Sequence, residues 1–337
     1  MTVVTRAHTR VTRAVVSWYL ETHRGRADDI GLPAMFMDPS KVGAFAIAPA
    51  EFARGDARGL FRLLVACSMF QRLRDQQILR ILREMPPATA SEIGNADTLL
   101  SLVDASACEQ IKTTATLREA CDLAKDARGQ GCCDVAPTLP CHLKRHTVAM
   151  KRYGHFGKVP TSIALSLRER GVDSLTELYR TILRTVRTRR ERAVALEVAL
   201  CSAWRVHQKI ASMFLSLVCN PDLSENPPWT DGIDWTYYVV VDSNVDLFLA
   251  SIGYGGLKTY DARREFLWSV ARTIRLRDLD PSLHDYNPRL IQQALYLFMS
   301  GANRRMAASD CMHRSPAPCG TCPRPLTMRC PVSVQSC

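Results

Sequence analysis

Four cysteines close the chain at a density that suits metal chemistry. Cys311, Cys319, Cys322 and Cys330 are separated by seven, two and seven residues. Four thiolates in one short segment can make a tetrahedral donor set, for zinc or for a [4Fe–4S] cluster. Zinc ligands usually come as two short knuckles, and only Cys319–Cys322 is one. A cubane accepts outlying single cysteines more readily, because each thiolate binds a different iron. Cys337 is left over. Asp242 is a second candidate, since it follows the apolar run YYVVV and opens a helical stretch. A carboxylate at a helix N-terminus keeps its charge at neutral pH and can stabilise a developing cation. Asp242 also reads simply as a helix cap, and Asp246, one turn on, is its local rival. A third candidate is Lys209 in RVHQKIASMFLSLV, one of only four lysines beyond residue 150.

The elements that carry these residues read as helices almost throughout. Residues 11–23 show helical apolar spacing. Asp56 is a candidate cap for a helix whose stripe is Leu60, Leu63, Leu64, Cys67 and Phe70. A helix follows over 75–84, and Pro86–Pro87 break it. Helices resume from 161 to 218, residues 220–235 are loop, and another helix starts near 243. Asn287–Pro288 opens a final helix bearing Leu290, Ile291, Ala294, Leu295 and Phe298, which ends near Gly301. Residues 104–160 are the least regular part and read as an insertion. Their cysteines (Cys108, Cys121, Cys132, Cys133, Cys141) match no metal-ligand spacing. These features predict an all-α protein.

Composition narrows the function. The chain has 337 residues, 47% hydrophobic and 23% charged, and a net charge of +11. No apolar run approaches the roughly 18 residues of a membrane span. The first residues lack a signal-peptide core, which predicts a cytoplasmic protein associated with the nucleoid. Thirteen cysteines in such a chain do not suggest a disulfide framework. A positive balance of this size points to phosphate-bearing partners. The run Arg180, Arg184, Arg187, Arg189, Arg190 and Arg192 fits either a solvated helix face or a phosphate-facing one.

The segment LIQQALYLFMSGANRRMAASDCMHRSPAPCGTCPRPLTMRC resembles the end of the endonuclease III class of DNA glycosylases, in the helix-hairpin-helix (HhH-GPD) superfamily. It keeps the Cys-Gly-x-Cys centre and lengthens both flanking gaps. YYVVVDSNVDLFLASIGY is similar to the family's aspartate segment, RVHQKIASMFLSLV to its lysine helix, and GLFRLLVACSMFQRLRDQQI to the helix that ends in its glutamine. In place of the hairpin glycines stand Arg205 and His207.

The resemblance implies a two-lobed fold. Residues 59–235 would form a six-helix domain interrupted at about 104–160, and 1–58 with 236–337 a cluster-bearing domain. It implies Cys311, Cys319, Cys322 and Cys330 as [4Fe–4S] ligands, with zinc the alternative. Lys209 would be the Schiff-base nucleophile, Asp242 the essential carboxylate, and Gln71 the wedge that fills the gap left by a flipped base. Arg304, Arg305, Arg314, Arg324 and Arg329 would meet phosphates. A base pocket needs aromatic faces and polar groups, for which His155, Phe156, Trp229 and Trp235 are candidates, although each is more often a packing residue. The expected partner is double-stranded DNA with a damaged or modified base, bound by a monomer, with no membrane involved. Four readings stay open: a bifunctional glycosylase/AP lyase, a monofunctional glycosylase using water at Asp242, a silent DNA-binding protein of the same fold, and a zinc-tailed RNA-binding protein.

Overall fold

The computed structural model describes residues 3–24, 32–120, 141–151 and 156–300. All regular structure among them is helical. The chain runs through α1 (Arg6–Thr22), then α2 (Pro33–Met37), α3 (Pro39–Val42), α4 (Pro49–Ala53), α5 (Ala57–Ser68) and α6 (Asp75–Glu84). Next come α7 (Pro87–Ile93), α8 (Ala96–Ala105), α9 (Thr114–Ala120), α10 (His142–Ala149), α11 (Lys158–Glu169) and α12 (Leu175–Thr185). The last are α13 (Arg189–Leu200), α14 (Gln208–Cys219), α15 (Ser243–Ser251), α16 (Tyr260–Ala271) and α17 (Pro288–Met299). None of the helices among the described residues is long and apolar enough to cross a membrane.

Contacts divide the chain into two compact units, one from 1–31 with 236–337 and one from 32–235. The first is built round α17. Its expected stripe, Leu290, Ile291, Ala294, Leu295 and Phe298, is buried, and α1, α15 and α16 pack on it. Trp18 of α1 meets Phe298 edge-on at 5.5 Å. Asn287 caps α17 by accepting from the Leu290 N–H at 3.0 Å, with Pro288 in the first turn. Helix α1 starts at Arg6, well before the apolar spacing begins. Thr5 and His8 close a reciprocal capping box there, each side chain accepting the other's backbone N–H at 3.2 Å.

The second unit centres on α5, capped as expected by Asp56, which accepts from the Gly59 N–H at 2.8 Å. Its stripe packs against α11, α12 and α14. Residues 32–58, expected with the termini, belong to this unit instead. The reason is apolar area: Phe36, Phe45, Ile47 and Phe52 are all buried, and Phe36 lies edge-on to Phe70 at 5.9 Å. Burying each such side chain stabilises by about 1.5–3 kcal/mol, which holds the segment down.

The described parts of 104–160 are more regular than the sequence suggested. A 3-10 turn at Glu109–Ile111 and helices α9 and α10 fold there. Val103, Ile111, Leu117, Leu143 and Leu165 form a small core of their own. Helix α10 turns polar residues inward. His142 contacts Thr161 Oγ1 at 3.2 Å, and His146 contacts Glu92 at 2.6 Å, beside an Arg145–Glu92 ion pair. Burial, then the neighbouring His146 and Arg145, pushes the His142 pKa down to about 4 from an ordinary 6.5. Burial also lowers that of His146, although its bond to Glu92 opposes the shift. Partial burial works against the charge on Glu92, but the bonds from Arg145 and His146 outweigh it and leave its pKa below the ordinary value.

A folded-state pKa below the unfolded one means that the unfolded chain takes up protons first as pH falls. Stability is therefore complete above about pH 6.5 and declines towards pH 4, by on the order of 3 kcal/mol for His142 alone. Urea unfolding at several pH values should show this decline, and His142→Gln should flatten it. An unchanged pH slope in that variant would contradict the assignment.

Candidate functional site

Two tight turns in the second unit bring Gln71 and Lys209 together. The first follows α5 and runs from Met69 to Arg74, where α6 begins. The second follows α13 and runs from Cys201 to His207, where α14 begins. Side chains lace the turns in both directions. Lys209, in the first turn of α14, donates from Nζ to Phe70 O at 2.9 Å. Gln71 donates from Nε2 to Ser68 O at the end of α5 at 2.8 Å and to Arg205 O across the gap at 3.2 Å. For Gln71 to enter a duplex, both bonds must be exchanged, at about 0.5–1.5 kcal/mol each.

Arg205 occupies the left-handed region with φ +58°, as does Arg72 on the facing turn. Glycine favours that region, and other residues bear a cost of about 1–2 kcal/mol there. The backbone bend that a glycine would make is thus present at Arg205 without the glycine. His207 stays extended with φ −99° and makes no side-chain cap to α14.

Aromatic and cationic residues surround this turn. The Arg205 guanidinium lies 5.6 Å from the Trp204 ring and 5.7 Å from Phe156. Trp204 also has Arg118 at 5.8 Å and Lys158 at 5.7 Å. Ser162 Oγ holds the turn by accepting from the Trp204 N–H at 2.6 Å. Lys158 is fully buried at the start of α11 and donates to Arg118 O at 3.4 Å. Trp204, Arg118, Lys158 and Arg72 escape the sequence reading. The WR pair just ahead of Val206–His207 is the one local signal for the first of them.

Asp242 belongs to the first unit. Its Oδ1 accepts from the Val245 N–H at 2.9 Å and caps α15. The valine run before it makes no sheet. Tyr260 clamps it instead: the hydroxyl donates to Val239 O at 2.6 Å and accepts from the Val241 N–H at 3.4 Å. Arg264, itself buried, lies over the rings of Tyr237 at 4.3 Å, Tyr260 at 5.5 Å and Trp268 at 5.3 Å. Asp246, the local rival, is committed to an ion pair with Arg263.

The remaining candidates divide. Phe156 is buried beneath Arg205. Trp229 is taken up by core packing, stacked on Tyr179 at 4.8 Å and edge-on to Phe214 at 5.8 Å. Trp235 is half-buried at the start of a 3-10 turn. In the basic run, Arg190 pairs with Asp234 at 3.1 Å, and Arg192 donates to the carbonyls of Val186, Leu183 and Gly232. Arg180, Arg184, Arg187 and Arg189 are exposed. His155, the four tail cysteines (Cys311, Cys319, Cys322, Cys330) and the arginines Arg304, Arg305, Arg314, Arg324 and Arg329 lie outside the described residues. Among the described residues no group of three or more His, Cys, Asp or Glu is placed to hold a metal ion. No protein-family model matches the chain, nor does any curated protein or solved structure.

Proposed function

We propose that the protein is a base-excision DNA glycosylase of helix-hairpin-helix type, with an associated AP lyase step. The observation that carries this reading is the seating of Lys209 and Gln71 on two laced turns, with Arg205 keeping a glycine-like bend between them. Asp242, which caps α15 after a valine run held by Tyr260, supplies the carboxylate that this reading needs. The Asp242 carboxylate stabilises the sugar cation as the N-glycosidic bond breaks. The departing base keeps the bonding electrons and takes up the proton that the Lys209 amine loses as it adds to C1′. The remaining N–H proton passes to O4′ as the sugar ring opens to a Schiff base, and β-elimination removes a C2′ proton to water and expels the 3′ phosphate.

The tail cysteines offer a four-thiolate donor set that suits a [4Fe–4S] cluster, with zinc the alternative. When bound, the group would brace the basic segment that carries Arg304, Arg305, Arg314, Arg324 and Arg329. No step of the reaction runs through it. The partner is duplex DNA holding a damaged or modified base, bound by a monomer.

A second reading has its own support. The bond from Lys209 Nζ to Phe70 O must be released before the amine can add to sugar. If it persists, Lys209 is a strut and water attacks beside Asp242. Borohydride reduces a Schiff base to a stable adduct and so separates the two. The bifunctional reading expects wild-type protein to trap on DNA and Lys209→Gln to trap none. Base release from wild type without trapping would leave the monofunctional reading.

A further inference from the structure

The first unit holds a cavity of about 800 Å³, bounded by the start of α1, the loop after α15 and one face of α16. It lies at the far end of α15 from Asp242. Nine helical residues separate the two places, about 14 Å at 1.5 Å per residue. The volume is that of a small-molecule site, roughly 300–1,000 Å³. A Schellman turn ends α15 and shapes the loop. Gly253 takes the left-handed region at φ +80°, its N–H donates to Ala250 O at 3.1 Å, and the Tyr254 N–H donates to Leu249 O at 2.9 Å. The turn sets the Tyr254 ring 4.9 Å from that of Phe266 on α16. The Tyr254 hydroxyl then ties the loop by donating to Leu257 O at 3.0 Å.

Two polar groups at this cavity are left for a ligand. His8 is only 8% exposed and meets Phe266 edge-on at 5.4 Å. Its Nδ1 accepts from the Thr5 N–H at 3.2 Å in the capping box, which puts the ring proton on Nε2. That Nε2–H has no acceptor among the described residues. Glu265 is exposed, and its carboxylate is in no ion pair among the described residues. Val3 and Leu257, the two most exposed large apolar side chains among the described residues, also border the cavity. A sequestered donor, an unpaired acceptor, two aromatic rings and an apolar rim suit one edge of a flat polar heterocycle.

We propose that this cavity binds a nucleobase by its lactam edge, a ring carbonyl beside a ring N–H. His8 Nε2–H donates to the carbonyl, the Glu265 carboxylate accepts from the N–H, and Tyr254 and Phe266 flank the ring. Guanine, hypoxanthine, uracil and thymine carry such an edge. Adenine lacks the carbonyl, and cytosine lacks the ring N–H beside it. The base is supplied as a free nucleoside or on a nucleic-acid strand. The site stands on these residues alone, whatever reaction Asp242 serves.

The test is calorimetric titration of the full chain with guanosine, inosine, thymidine, adenosine and a short oligothymidylate. Wild type is compared with His8→Glu and Glu265→Lys. His8→Glu keeps the capping box, since glutamate is the usual partner of a threonine cap, and turns the donor into an acceptor. Glu265→Lys makes the opposite change on the exposed face of α16. Wild type should bind at least one of guanosine, inosine and thymidine saturably, and adenosine about tenfold more weakly or less. Each variant should lose about tenfold or more in affinity while unfolding in urea like wild type. Thymidine binding without strand binding assigns the site to free nucleosides. Oligothymidylate binding that His8→Glu abolishes assigns it to a base on a strand, and either result supports the site. No saturable binding of any lactam base, equal affinity for adenosine, or an affinity unchanged in either variant overturns it.

Discussion

Asp242→Asn should lower the single-turnover rate of base release by roughly 10²–10⁴-fold while leaving duplex affinity nearly unchanged. The substitution is informative because the two roles of Asp242 separate cleanly. As a cap, its Oδ1 accepts from the Val245 N–H at 2.9 Å. Asparagine caps about as well as aspartate, so α15 keeps its first turn. As a carboxylate, it supplies a negative charge that asparagine cannot. Asp242→Ala would lose cap and charge together and add about 1 kcal/mol of destabilisation, which would blur the result. Asp246→Asn, which breaks the pair with Arg263 on the same helix, should leave the rate within a few-fold. Equal losses in Asp242→Asn and Asp246→Asn would point to general damage to α15 rather than to chemistry.

The second large effect is on stability. A Cβ added at Gly157 would stand 2.0 Å from Leu143 O, 2.2 Å from Thr147 Oγ1 and 2.7 Å from Thr147 N. Two of those atoms are backbone of α10, and the third is a side chain already bonded at both ends. Thr147 Oγ1 donates to Leu143 O at 2.8 Å and accepts from the Gly157 N–H at 3.1 Å. Nothing there yields cheaply, so α10 must separate from the start of α11. Gly157→Ala should destabilise by about 3 kcal/mol or more. It should also disturb Phe156 and Lys158, the chain neighbours that pack round Arg205 and Trp204. Gly171→Ala is the matched comparison. That glycine has φ +69° but nothing within 4 Å of the added carbon, so the backbone term of about 1–2 kcal/mol stands alone. Urea unfolding of both variants checks the ordering, and equal losses would contradict the close-approach account.

Local rules made much of the helical frame legible. Asp56, Asp242 and Asn287 each cap the helix that their position announced. Helix α6 spans Asp75–Glu84 as its spacing suggested, although Pro87 opens a new helix rather than only ending the last. The misses share a cause, which is that they depend on polar or distant partners. Helix α1 begins inside a polar stretch, where a histidine takes the acceptor role that a glutamate usually fills in a capping box. Helix α10 buries His142, His146 and Thr147, so a search for apolar periodicity passes over it. The segment 32–58 reads as an extension of the terminal domain, but Phe36, Phe45, Ile47 and Phe52 are buried in the other unit.

The candidate site divides along the same line. Lys209, Gln71 and Asp242 stand in stretches whose residue order carried a resemblance. Arg72, Trp204 and Lys158 stand in none. A left-handed arginine carries no glycine to mark its bend, and the cations round Trp204 come from separate elements, α9, α11 and the turn before α14. Asp246 pairs with Arg263, seventeen residues along the chain, and only folding brings those two together.

The measurement that bears most directly on the central claim is base release. Purified protein is incubated with duplexes carrying a broad set of damaged and modified bases, and free bases are identified by mass spectrometry. The account predicts release of at least one base by wild type, lost in Asp242→Asn. No release from folded protein that binds the same duplexes would contradict it.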